Sequence, residues 1–148
     1  MALALTGARA GQTQPTGTTS CVEAGTGHKI NGYKYLCMAN QGNLHDLEDK
    51  FNAYFRSIGF EIVTPEEEEE FDEEKRKYVL YGTYEVRTVD DDFYSLTLTL
   101  RNREGKIVFS TTKQSGIFFS LRRSIDRGSD KIIKQLKELN YTFDETAR

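Results

Sequence analysis

A chain of 148 residues, 37% of them hydrophobic, has apolar material for one compact core and no room for a second domain. Its 20 Lys and Arg against 23 Asp and Glu leave a formal charge of -3, so no strong field draws it to nucleic acid or to an anionic membrane. No apolar run approaches the ~20 residues needed to span a bilayer as a helix.

Met1 to Ala10 (MALALTGARA) is small and apolar and ends in Ala8-Arg9-Ala10, the A-x-A pattern of signal-peptide cleavage, although the basic residues that open such a signal are missing. The segment reads as the back half of a secretory signal, with an ordinary disordered terminus as the alternative. The expected location is periplasmic or secreted in the first case and cytoplasmic in the second. Lipid attachment at Cys21 is rejected, because the residues before it, Thr18-Thr19-Ser20, are polar where such a signal is apolar. The expected organisation is a residual signal over 1–10, a flexible lead over 11–32, one α/β domain over 33–140 and a tail over 141–148.

Gly11 to Gly32 is rich in Gly, Thr and Ser without periodicity, as befits a tether. Gly25-Thr26-Gly27-His28-Lys29 is superficially like a phosphate loop, but the full spacing of that motif is absent. Tyr33 to Met38 reads as a short strand. Asn43 is placed to cap a following helix, with Asp46 at its third position; Leu44, Leu47, Phe51, Phe55 and Ile58 form its single apolar stripe. Gly59 suits a left-handed cap, and Phe60 to Val63 begins a second strand, parallel to the first. Thr64-Pro65-Glu66-Glu67 is a strong helix start, with a capping box and Pro at the first position. The helix expected from it, to about Arg76, is acidic at its start and basic at its end, which suits its dipole.

Tyr78 to Thr112 reads as three antiparallel strands. Leu80, Tyr84 and Val86 alternate with Tyr81, Thr83, Glu85 and Arg87; Leu96, Leu98 and Leu100 alternate with Ser95, Thr97, Thr99 and Arg101; Ile107 and Phe109 are set against Val108 and Ser110. Asp90-Asp91-Asp92 and Asn102 to Gly105 are the turns, the latter suited to a bulged hairpin. Phe118, Leu121, Ile125, Ile132, Leu136 and Leu139 then fall on one face of a long helix, interrupted by Gly128 and Ser129. Gly128 costs ~1 kcal/mol against Ala there, so the backbone approaches a strand closely or the helix bends. Tyr141 and Phe143 in the tail are placed to fold back on an edge.

The expected fold is therefore α+β, a two-layer α/β sandwich of order β-α-β-α-β-β-β-α, its mixed sheet carrying helices on one face. The other face presents Tyr81, Thr83, Arg87, Thr97, Thr99 and Arg101 as a partner surface. Cys21 and Cys37 are the two cysteines; in an exported protein a disulfide between them closes a loop worth roughly 3 kcal/mol. His28 and His45 are not spaced to complete a metal site with them, and no cofactor is expected. Neither histidine sits in the context of a catalytic nucleophile, and the triple Asp lacks the spacing of a calcium loop.

The run YVLYGTYEVR, then FYSLTLTLRNREGKIVFSTT, then a long amphipathic helix resembles the small α/β domain of bacterial envelope proteins. That group includes the amino-terminal domain of the translocation protein TolB, the curli-secretion subunit CsgG and the lipoprotein activators of penicillin-binding proteins. The shared features are the Tyr81-Gly82-Thr83 step and the Gly105-Lys106-Ile107-Val108 hairpin. The resemblance implies an exported, non-enzymatic module that holds another envelope protein, with no functional residue transferable. One alternative is a small-molecule binder or hydrolase with a pocket between the first long helix, the last helix and the sheet, lined by His45, Arg122, Arg123 and Asp126. Another is a structural subunit of a homo-oligomer joined through sheet edges.

Overall fold

The computed structural model describes residues 28–88, 90–117 and 120–148. The residual signal, most of the expected lead, Cys21 and Phe118 lie outside those residues. Five strands, β1 (Tyr35–Met38), β2 (Glu61–Ile62), β3 (Val79–Thr88), β4 (Phe93–Arg101) and β5 (Ile107–Gly116), form one mixed sheet in the order β2-β1-β3-β4-β5. β1 runs parallel to both β2 and β3, and the β3-β4-β5 meander is antiparallel. The α+β fold and its element order are those expected.

Two long helices, α1 (Leu47–Ser57) and α4 (Leu121–Lys137), lie on one face. Leu36, Leu80, Leu96, Leu98, Leu100 and Phe109 of the sheet meet Phe51 and Phe55 of α1 and Ile125, Ile132 and Leu136 of α4 in one core. Each such side chain contributes about 1.5–3 kcal/mol by leaving water. Gly128 resolves as a close approach: α4 is unbroken, and a Cβ there would stand 2.5 Å from the Tyr94 hydroxyl. That hydroxyl donates to the Ser124 carbonyl at 2.5 Å, clamping α4 to β4.

The acidic helix divides into α2 (Pro65–Glu69) and α3 (Glu73–Arg76). Its start is as expected, with Thr64 and Glu67 exchanging the reciprocal capping-box bonds. The break has two causes. Phe71 turns inward to an edge-on contact with Tyr35, 5.3 Å between ring centres, and the Asp72 carboxylate starts a new helix by accepting from Lys75 N–H. This short pair covers one corner of the second sheet face, over a small cluster of Tyr35, Cys37, Val63 and Val79. Among the described residues, no helix covers the rest of that face.

Three further expectations are corrected. Residues 28–32 are not part of a loose lead: Lys29–Gly32 is a 3-10 turn with Ile30 in the main core and the His28 Nδ1 accepting from Ile30 N–H. Asp46 is not inside the first helix but precedes it in the left-handed region, and Asn43 caps from farther upstream, its Oδ1 accepting from Asp49 N–H at 3.1 Å. Ile107 is not a core residue but 49% exposed, because a bulge beside Leu100 and Arg101 pairs Arg101 with Ile107 and turns Val108 inward instead. The tail folds back as expected, Tyr141 stacking on Phe60 and Phe143 meeting Tyr78 edge-on.

Candidate interaction surface

The register assembles the expected partner residues into rows across the open face. Thr83 pairs with Thr99 and Thr99 with Ser110; Glu85 pairs with Thr97 and Thr97 with Thr112; Arg87 pairs with Ser95 and Ser95 with Gln114. Hydroxyls bond across strands, Thr97 with Thr112 at 2.8 Å and Thr99 with Ser110 at 3.2 Å. Thr83, Arg87, Thr97, Thr99 and Arg101 therefore share one polar side of the sheet, on which Thr99 is buried, with Arg87 tied to Glu85 at 2.8 Å.

Tyr81 stands apart from them. It pairs with Arg101 in register, but its hydroxyl donates to the Glu68 carboxylate at 2.5 Å. Burial, and then the neighbouring Glu68 charge, hold its phenol well above the usual range. Glu68 also lies 3.3 Å from the Arg76 guanidinium, so Tyr81 belongs to the corner sealed by α2 and α3. Cys37 lies in the same corner, where burial, followed by the Glu68, Glu66 and Glu67 charges, pushes its thiol up to about 11. Its expected partner, Cys21, lies outside the described residues.

The outer edge of β5 adjoins this face. The strand has ten residues and, among the described residues, pairs with β4 alone, whereas β2 at the opposite edge has two. A long edge strand offers a row of outward N–H and C=O groups that a second chain can complete. Two large apolar side chains bracket it: Ile107 at its start, and Phe93, 54% exposed, opposite Gly116 at its end. Alternation hides this signal from sequence reading, because Ile107 looks like a core position until the bulge is known.

Among the described residues, packed side chains stand where the pocket was expected. Leu47, Phe51, Phe55 and Ile125 fill the space between α1, α4 and the sheet. Arg122 pairs with Asp46, and Lys50 of α1 bridges Asp126 and Asp130 of α4, both at 2.8 Å. Burial alone would lower the Lys50 ammonium, but these two carboxylates hold it above its ordinary value. His45 sits in the loop before α1 with a left-handed backbone, φ 52°. Sequence reasoning also missed the role of Gln41. Where β1 ends, its side-chain amide donates to the Tyr84 carbonyl at 2.8 Å and accepts from Tyr84 N–H at 3.0 Å, continuing the ladder along β3.

No protein-family model matches the chain, and no curated protein does. Solved structures do. A PelC variant from Paraburkholderia phytofirmans, described as a dodecamer, is 18% identical over 82% of this chain and 97% of its own, with a TM-score of 0.50. A second PelC dodecamer from the same organism is 18% identical over 84% and 99%, with a TM-score of 0.49. Nothing in these matches bears on the resemblance to the TolB and CsgG group. At such identity the likeness is one of fold: this chain has the architecture of a PelC protomer.

Proposed function

We propose that this protein is a structural subunit of a homo-oligomer whose protomers join through the free edge of the sheet. The observation that carries the reading is the ten-residue β5 edge, bracketed by exposed Ile107 and Phe93. The dodecameric description of the PelC structure supports it. The assembly reading therefore takes precedence over that of an exported module holding a different envelope protein. Antiparallel pairing of β5 with the β5 of another copy closes as a two-fold dimer; a larger closed assembly needs a second, different surface, for which the Thr-rich open face is available.

Neighbouring residues of a strand send their N–H groups to opposite sides. Ile117 N–H donates to the Asp92 carbonyl in the same register, so Lys113→Pro removes a ladder bond to β4 and unsettles the fold, while Thr112→Pro removes an outward donor and the hydroxyl bond to Thr97. The second variant is expected to remain folded by circular dichroism and to lose mass by light scattering. If that folded variant keeps the parent's oligomeric mass, the β5 edge is not the contact.

A further inference from the structure

A cleft of about 330 Å³ opens at the end of the sheet where β1 and β3 begin, between the 3-10 turn at Lys29–Gly32 and the β4–β5 hairpin. The charge around it departs from that of the chain as a whole. Lys29, Lys77, Arg103, Lys106 and Arg148 line it, and Glu104 is the one acid among its lining residues, in a protein of net charge -3. Lys77 is answered by Glu74 at 3.1 Å and Arg103 by Glu73 at 2.7 Å. Arg148 is engaged with the Tyr78 ring and the Gly32 carbonyl. Lys29 and Lys106 have no ion pair among the described residues, and both are exposed at the rim.

The hairpin that carries Lys106 is held in shape, with the Asn102 Oδ1 accepting from the N–H groups of Glu104 and Lys106 at 3.0 and 2.9 Å. Tyr33, 5% exposed, forms the floor with Val108. Two unanswered ammonium groups, a guanidinium fork and a phenol thus surround a cleft with a partly apolar floor. Ammonium and guanidinium groups are the usual protein partners of phosphate oxygens. The volume is at the small end of ligand sites, which run from about 300 to 1,000 Å³.

We propose that this cleft binds a small ligand bearing phosphate groups, held by Lys29 and Lys106 with Arg103 beside them. The inference does not rest on the assembly reading, since the two are measured by different quantities. The test uses the full chain at low salt and two probes: pyrophosphate, followed by calorimetry and amide shifts, and phosphatidylcholine vesicles containing phosphatidic acid, followed by co-sedimentation. Pyrophosphate is expected to bind saturably at one site, with shifts centred on residues 29–33 and 102–108. Replacing both lysines (Lys29→Gln with Lys106→Gln) is expected to weaken it by about tenfold or more, without altering thermal unfolding. The paired control, Lys131→Gln with Lys134→Gln on the exposed side of α4, is expected to leave binding intact. Vesicle binding that is lost in the first pair and kept in the second, with no response to pyrophosphate, assigns the phosphate to a lipid headgroup. Absence of saturable binding to either probe, or equal losses in both pairs, overturns the proposal.

Discussion

Gly128 shows how one missing side chain positions a helix. Introducing Ala gains the ~1 kcal/mol of helix propensity that glycine forgoes, but its methyl would stand 2.5 Å from the Tyr94 hydroxyl. Moving that ring costs typically 1–3 kcal/mol of overpacking and about 1 kcal/mol for the displaced hydrogen bond to Ser124. Gly128→Ala is therefore expected to destabilise the protein by roughly 1–3 kcal/mol despite its better helix former, as read from the urea midpoint. An unchanged or raised midpoint would show that Tyr94 moves aside freely. The small residues at 128 and 129 were legible as an interruption of the apolar stripe. The choice between a close approach and a bend was not, because it depends on which ring stands opposite.

Among the elements, the short β1 strand is prolonged by a side chain. Gln41 lends its amide to both backbone groups of Tyr84 after β1 has ended, and the loop around it is tied to the Glu48 carboxylate, which accepts from Gln41 N–H, Asn43 N–H and the Tyr84 hydroxyl. Gln41→Ala is expected to leave the sheet intact while exposing the Tyr84 amide, whose hydrogen exchange should accelerate by about tenfold to a hundredfold, the equivalent of a lost buried hydrogen bond. Unchanged exchange would mean that other groups protect that position. The meander was readable from its alternation, and the capping box at Thr64 from its spacing, because both are local rules. The division between α2 and α3 was not, since it follows from Phe71 meeting a ring 36 positions earlier in the chain. Ile107 misled for a related reason: a single bulged residue reverses the side to which an alternating pattern points.

For the whole molecule, burial leaves a signature in alkali. Cys37 is raised from 9.0 to about 11 and Tyr141 from 10.0 to about 12 by burial, and Tyr81 is raised by burial and by Glu68. A group whose proton is held more tightly when folded adds stability below its unfolded value and loses it as pH rises through the folded one. Under reducing conditions, stability to urea is therefore expected to hold up to about pH 9 and to fall steadily between there and pH 11. A flat profile across that window would contradict the burial of these groups. Composition and overall charge spoke against a global attraction to polyanions, but they could not reveal the basic cleft. Its five cations come from the 3-10 turn, the residue before Tyr78, the β4–β5 hairpin and the tail, and only the folded chain gathers them.

The proposed assembly joins copies of the chain through the β5 edge, so the decisive measurement is the molar mass of the unsubstituted chain in solution by light scattering coupled to size exclusion. A mass several times the 16.9 kDa of one chain, persisting on dilution, is the predicted result. A single species at the mass of one chain, even at the highest soluble concentration, would contradict it.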